Sequence, residues 1–109
     1  MGERQGPSDL QEESVLIHTF GFRWKPGVTA AQIAQSSRII RALQGQIPGL
    51  LNTWVGDNIS PRSHGYQFGG VMQFTDRASL DAYNSHPAHQ KVLEFLRPLI
   101  EAVEIDFEV

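Results

Sequence analysis

The segment from Val15 to Trp24 limits the possible folds more than any other part of this sequence. It is rich in aromatic and β-branched residues and runs into a Lys-Pro-Gly turn, so it predicts a strand. Successive side chains of a strand point to opposite faces. One face holds Leu16, His18, Phe20, Phe22 and Trp24, and the other holds Val15, Ile17, Thr19, Gly21 and Arg23. Because apolar residues occur on both faces, this strand needs cover on both sides.

Helix and strand signals alternate along the rest of the chain. Thr29 and Gln32 form a capping-box pattern, which predicts the start of a helix whose apolar stripe continues to Ile47. Thr75 or Asp76 is expected to cap a short helix. Further helical and strand segments are predicted at these places: a helix ending near Asn84, another from Pro87 to Pro98, and strands over Leu50 to Asp57, Tyr66 to Phe74 and Leu99 to Val109.

The resulting order, β-α-β-β-α-β, predicts an α+β fold of the ferredoxin-like type. Its helices cover only one face of a four-stranded sheet. The apolar residues on the second face of the first strand therefore need another partner. A second copy of the same sheet supplies that cover most simply, so the pattern favours a homodimer.

Composition narrows the function classes. The chain has 109 residues, which fits one domain at residues 15–109 after a polar leader at residues 1–14 that we expect to be flexible. Nine basic and twelve acidic residues argue against a nucleic-acid partner. The absence of cysteine excludes disulfides, a thiol nucleophile and Cys-ligated metals. No apolar run is long enough for a membrane span. We expect a cytoplasmic protein.

One segment carries a more specific signal. Residues 83–89 read Tyr-Asn-Ser-His-Pro-Ala-His, and together with the first strand, the Ile-Pro-Gly turn at 47–49 and Asp106-Phe107 they follow a known pattern. Over residues 15–109 the chain resembles the stress-responsive dimeric α/β-barrel (Dabb) domain family. The resemblance implies ferredoxin-like subunits that form a dimeric α/β barrel, without a cofactor.

The resemblance also implies a site. In olivetolic acid cyclase, an enzyme of this family, the second His of the motif is the general base, a Tyr six residues earlier holds the substrate carbonyl, and a His on the first strand lines the pocket. The matching residues here are His89, Tyr83 and His18. A further pocket His of that cyclase corresponds to Phe68, which is a departure from the cyclase pattern.

Other residues have both a structural and a functional interpretation. His89 either accepts a proton from a substrate or holds its loop in place, and His86 is expected to cap the following helix. These two His have no third ligand at metal-site spacing, so we expect no metal site. Glu104, Asp106 and Glu108 are expected to form a solvated face or to pair at the dimer edge with Arg38 or Arg41. Substrate contacts are expected from Phe20, Trp24, Phe68 and Met72.

Two functions remain open at the level of sequence. The first is a cofactor-free enzyme or binding protein for a small apolar carbonyl-bearing molecule, such as a polyketide-like or aromatic compound, with cyclisation, condensation or lyase chemistry at His89. The second is a non-catalytic, stress-responsive oligomeric protein. An apolar cavity with unpaired His and Tyr groups favours the first, and groups fully paired to the backbone favour the second. A haem- or quinone-directed monooxygenase shares the fold but lacks the 83–89 motif.

Overall fold

The computed structural model describes residues 15–109, so the leader expected at residues 1–14 lies outside the described residues. The elements follow the predicted order, including the two separate helices between the third and fourth strands. They are β1 (Leu16–Trp24), α1 (Ala30–Arg41), β2 (Leu50–Asp57), β3 (Phe68–Phe74), α2 (Arg77–Ser85), α3 (Pro87–Leu96) and β4 (Ile100–Glu108).

The four strands form one antiparallel sheet in the order β2-β3-β1-β4. The two-sided apolar strand β1 therefore lies in the interior of the sheet, as its pattern predicts. Its register fixes the neighbours of each side chain: His18 lies opposite Met72 of β3 and opposite Asp106 of β4. Phe20 lies opposite Glu104 in the same way. The fold thus brings residues from the two ends of the chain side by side.

The helix termini follow local chemistry. At the start of α1, the Gln32 amide donates to Thr29 Oγ1 over 3.1 Å, and the Thr29 amide donates to Gln32 Oε1 over 2.9 Å, which confirms the capping box. The helix ends at Arg41, earlier than its apolar stripe indicates. Leu43 and Ile47 remain buried in the turns that follow, where Gly45 adopts a φ of 93°.

All three helices pack on one face of the sheet, and the core lies between them. Its most buried side chains include Leu16, Phe22, Ile40, Leu43, Met72, Phe74 and Leu96. None of the helices in the described part of the chain is long and apolar enough to cross a membrane.

The opposite face of the sheet is open in the single chain and carries large apolar side chains. Trp54 of β2 is 56% exposed, and Ile105 and Phe107 of β4 are 62% and 47% exposed. Ile17 and Thr19 of β1 lie between them, since they pair with Phe107 and Ile105. This face has no cover within residues 15–109.

Candidate functional site

A partly enclosed cavity of about 60 Å³ lies between the helix-side face of the sheet and the helices α1, α2 and α3. Strands β1, β3 and β4 supply its floor, and α3 supplies most of its wall. The cavity is mainly apolar and contains four polar side chains. Its lining consists of His18, Phe20, Phe22, Ile40, Met72, Tyr83, His89, Val92, Leu93, Leu96, Ile100, Ala102 and Glu104.

Tyr83 and His89 stack against each other at this cavity. Their ring centroids are 3.9 Å apart, with 27° between the ring planes. Tyr83 is on α2 and is only 4% exposed. Burial, and secondarily the charge of Glu104, raise the pKa of Tyr83. The phenol therefore keeps its proton and can donate it to a bound group.

His89 is held in the neutral, basic form. It is half-buried in the first turn of α3, and its Nδ1 is a buried atom with no hydrogen-bond partner in the described part of the chain. Burial lowers the pKa of His89, and the charge of His18 lowers it further, while the nearby carbonyls of Asn84 and Tyr83 oppose this effect. A neutral imidazole accepts a proton at pH 7.

His18 is fixed by a carboxylate that the sequence patterns assigned elsewhere. Its Nδ1 lies 2.5 Å from Asp106 Oδ1, and the His18 side chain is 6% exposed. This hydrogen bond to Asp106 fixes the orientation of the His18 ring. His18 also packs edge-on against Tyr83, with ring centroids 6.0 Å apart. The fold therefore brings His18, Tyr83 and His89 together, as the family resemblance implies.

Within the single chain, the acidic strand does not pair with Arg38 or Arg41, and their pairing across a dimer stays a prediction. Arg38 donates to Gln35 on its own helix, and Arg41 donates to the Val55 carbonyl. Glu108 instead pairs with Arg77 over 3.2 Å. The cause is topological, because the helix-side carboxylates of β4 face β1 and α2 rather than α1.

The four expected substrate contacts separate into two groups. Phe20 and Met72 line the cavity. Trp24 and Phe68 lie away from it, in an aromatic cluster where Phe68 stacks on Phe22 with ring centroids 5.7 Å apart. Phe68 is 3% exposed and acts as a core residue at the place where the cyclase has its further pocket His.

His86 has the capping role that its position predicts. Its Nδ1 accepts the Ala88 amide proton over 3.0 Å at the start of α3. The backbone of His86 is extended, as expected for a residue before proline. This imidazole is therefore satisfied by the backbone, in contrast to His89.

Several residues that line the cavity are not predicted from the sequence. Glu104 enters the cavity from β4, and the remaining members are apolar side chains of β1, α1, α3 and β4. The i, i+2 spacing of Glu104 and Asp106 on one face of a strand was the available signal. It carries no information on its own, because only the pairing of β4 with β1 brings that face to His18.

Several solved structures share this fold. A dimeric ferredoxin-like protein of unknown function from Thermobifida fusca is 27% identical, with 88% of this chain and 92% of that chain covered and a TM-score of 0.78. A Dabb family protein from Mesorhizobium loti is 26% identical, with 87% and 96% covered and a TM-score of 0.75.

A hydroxynitrile lyase from Passiflora edulis has a TM-score of 0.81 over 87% of this chain and 93% of that chain, and its 18% identity shows a shared fold alone. No functionally curated protein matches the sequence. The model of one family, the Stress responsive A/B Barrel Domain, matches residues 16–109. The match spans nearly all of the described residues, so the chain belongs to the stress-responsive A/B barrel domain (Dabb) family.

Proposed function

We propose that this protein is a small enzyme that moves a proton on an apolar, carbonyl-bearing molecule, with His89 as the general base. One observation carries the proposal: the buried His89 Nδ1 lies at an apolar cavity without a hydrogen-bond partner within residues 15–109, and its ring stacks on Tyr83. Buried polar groups in proteins are nearly always paired. Groups left unpaired beside a cavity are available to a ligand.

The two groups have complementary protonation states. Burial lowers the pKa of His89, so its imidazole is neutral and accepts a proton. Burial raises the pKa of Tyr83, so its phenol keeps its proton and donates a hydrogen bond. The first group suits proton abstraction, and the second suits an oxygen on which negative charge develops. The pair therefore divides the work of base and oxyanion donor.

His18 and Asp106 support this pair. The hydrogen bond between His18 Nδ1 and Asp106 fixes the ring orientation, as a carboxylate does for the base of a hydrolase triad. His18 and Tyr83 are in edge contact. His18 is thereby set to orient the substrate oxygen or to share the abstracted proton. Asp106 acts through His18, as a positioning residue.

The lining indicates the substrate class. Phe20, Met72 and the apolar side chains of α3 favour an aromatic or alkyl substituent, and the modest volume of the cavity favours a small one. Two reactions fit. In a hydroxynitrile, His89 takes the hydroxyl proton, the carbonyl forms, and cyanide leaves and is then protonated. In a ketone, His89 takes a proton from the carbon next to the carbonyl, and Tyr83 stabilises the enolate oxygen.

The non-catalytic alternative expects the same groups to be paired with the backbone. His86 is paired in this way, because it caps α3. His89 Nδ1 is not, within the part of the chain that the structure describes. The polarity of the cavity therefore favours the enzyme.

The experiment is a comparison of two variants on two probes, without added cofactor. Cyanide release from mandelonitrile tests the lyase reaction, and solvent deuterium uptake by acetophenone tests proton abstraction. His89→Gln should lower the active reaction about 10²- to 10⁴-fold, because the base is lost. His64→Gln, in the loop between β2 and β3, should leave the rate unchanged. Equal rates for wild type and His89→Gln, or no turnover of either probe, would count against the proposal.

We further propose that the open face of the sheet is covered by a second copy of the chain. Trp54, Ile105 and Phe107 are large apolar side chains that are about half exposed or more on that face, and clustered exposed apolar side chains mark interaction surfaces. Related proteins from Thermobifida fusca and Jannaschia, at 27% and 28% identity, are described as dimeric. The cavity lies on the helix side, so the two copies would each keep their own site.

A further inference from the structure

Glu104 is the one acidic side chain in the cavity lining within residues 15–109, and the proposed proton transfer gives it no role. It lies on β4 opposite Phe20 of β1, so the register of the sheet directs it to the helix-side face where the cavity lies. A glutamate side chain that reaches solvent is negatively charged at neutral pH. The cavity therefore combines apolar side chains with one negative charge.

The positive side chains near this strand are paired elsewhere. Arg23 lies 3.6 Å from Glu101 and Arg77 lies 3.2 Å from Glu108, which are at the two ends of β4. No lysine or arginine lines the cavity in the described part of the chain. Charges interact more strongly beside an apolar cavity than in bulk water, because the effective dielectric constant there is lower. The cavity therefore favours a positive charge in its ligand and disfavours a negative one.

The carboxylate of Glu104 acts on the groups that would contact the ligand. One of its oxygens and one ring nitrogen of His18 lie within 4.8 Å of each other. After burial, the charge of Glu104 is the second cause that raises the pKa of Tyr83. Burial is the largest effect on the pKa of His89 and lowers it, and the charge of Glu104 acts in the opposite direction. A ligand in contact with Tyr83 and His89 is therefore within reach of this charge.

We propose that Glu104 is a specificity-determining residue, which selects ligands with a positively charged amine beside the carbonyl group and excludes carboxylic acids. The substrate class is then the small amino ketones. This inference rests on the proposed function for the place of the ligand, and it adds the charge that the ligand carries. The ammonium group donates hydrogen bonds to the Glu104 carboxylate, while the carbonyl oxygen accepts one from the Tyr83 hydroxyl.

The charge of the amine also serves the reaction. His89 takes the proton from the carbon between the carbonyl and the amine, and the two electrons of the broken C–H bond pass to the carbonyl oxygen. Tyr83 donates a hydrogen bond to this oxygen, on which the negative charge develops. The neighbouring ammonium group withdraws electrons from the same carbon, so this C–H bond is more acidic than that of a plain ketone. Glu104 thus holds the group that activates the bond.

The test measures binding and needs no turnover. Benzylamine, benzyl alcohol and benzoate share one ring and one further carbon, and at neutral pH they carry a positive charge, no charge and a negative charge. Each compound is titrated into the full chain, and the ring signals of Tyr83 and His89 in NMR spectra report binding at the cavity. We expect benzylamine to bind at least about tenfold more tightly than benzoate, with benzyl alcohol between them.

Two variants of Glu104 show whether this residue sets the preference. Glu104→Gln should reduce the ratio of the two affinities to about threefold or less, because the negative charge is lost. Glu104→Lys should make benzoate the tighter ligand, a reversal that a merely structural role would not produce. The matched control, Glu94→Gln, removes the same charge from an exposed position of α3 outside the cavity and should keep the wild-type ratio.

The inference is overturned if the wild type binds the three compounds equally, or binds none of them at the cavity. It is equally overturned if Glu104→Lys keeps the preference for benzylamine. The proposed function fails in a different way, through the absence of turnover of mandelonitrile and acetophenone. Charge selectivity without turnover would support the role of Glu104 and contradict the enzyme, and turnover without charge selectivity would do the reverse.

Discussion

His89 retains a buried nitrogen, Nδ1, that the protein itself does not pair within residues 15–109. Leaving a buried donor or acceptor unpaired costs about 1–3 kcal/mol of folding free energy. This imidazole is in ring contact with Tyr83, which in turn contacts His18, and the site tolerates a stability cost in exchange for a free nitrogen. Marginal stability at functional positions is a common feature of enzymes.

The pKa of His89 leads to a pH prediction. Because burial lowers this pKa below the ordinary 6.5, the reaction rate should increase with pH through a midpoint below 6.5 and then level off. The free energy of unfolding should also increase with pH over this range. The unfolded chain binds the proton more readily, so the contribution of His89 is complete above about pH 6.5 and is lost as the pH falls.

Two-dimensional NMR of the imidazole signals checks this prediction, with His89→Gln identifying the signal of His89. A midpoint at or above 6.5 would show that burial does not control this group.

At the residue scale, the sequence identified His89, Tyr83 and His18, because the spacing of a family motif places them. It did not identify the pairing of Asp106 with His18 or the position of Glu104. These depend on the register between strands 88 residues apart along the chain, which no local pattern encodes.

Among the elements, the junction between α2 and α3 positions His89, the proposed base. His86 ends one helix, caps the next and is followed by a first-turn proline. His86→Ala should lower the free energy of unfolding by about 0.5–2 kcal/mol, because a capping acceptor is lost. Urea denaturation measures this loss. Ser85→Ala, at the exposed end of α2, is the control and should change stability little. An unchanged midpoint for His86→Ala would remove the capping role.

Gly70 of β3 has no side chain, and the space beside it is occupied by the ring of Phe20. This residue lies opposite Phe20, and a Cβ atom at Gly70 would overlap the Phe20 ring and lie 2.8 Å from Val55 Cγ1. Gly70→Ala should therefore displace Phe20 from its position in the cavity lining and lower stability by about 1–3 kcal/mol. Gly56→Ala is the matched control, since a Cβ there has open space. Equal thermal midpoints for the two variants would contradict this packing.

The elements themselves were largely predictable, and their ends less so. The sequence predicts β2 over the residues that the structure shows, because a Pro-Gly turn and a polar loop bound it. β3 begins at Phe68 and not at Tyr66, because the Tyr66 amide donates to the Ser63 carbonyl over 3.0 Å and extends the turn. Such turns depend on backbone contacts that side-chain patterns do not reveal.

The whole molecule is a sheet with helices on one face and an open apolar face on the other. The apolar residues on both faces of β1 predicted this arrangement. If a second copy covers that face, Ile105→Glu should separate the copies, because it places a charge in the interface. The control, Ile59→Glu, changes a residue that is 94% exposed in the loop after β2.

Light scattering should give about twice the 12.2 kDa chain mass for wild type and Ile59→Glu, and the chain mass for Ile105→Glu. A wild-type mass near 12.2 kDa at micromolar concentration would contradict the dimer.

The thermal stability of His89→Phe tests most directly whether His89 is present for a reaction or for the fold. This variant keeps a ring against Tyr83 and removes the unpaired nitrogen. If His89 is present for chemistry, the variant should lose activity while its Tm, at matched protein concentration, stays equal or increases by up to about 4 °C. If His89 instead holds the fold together, its Tm should fall by several degrees, and that result would contradict the central claim.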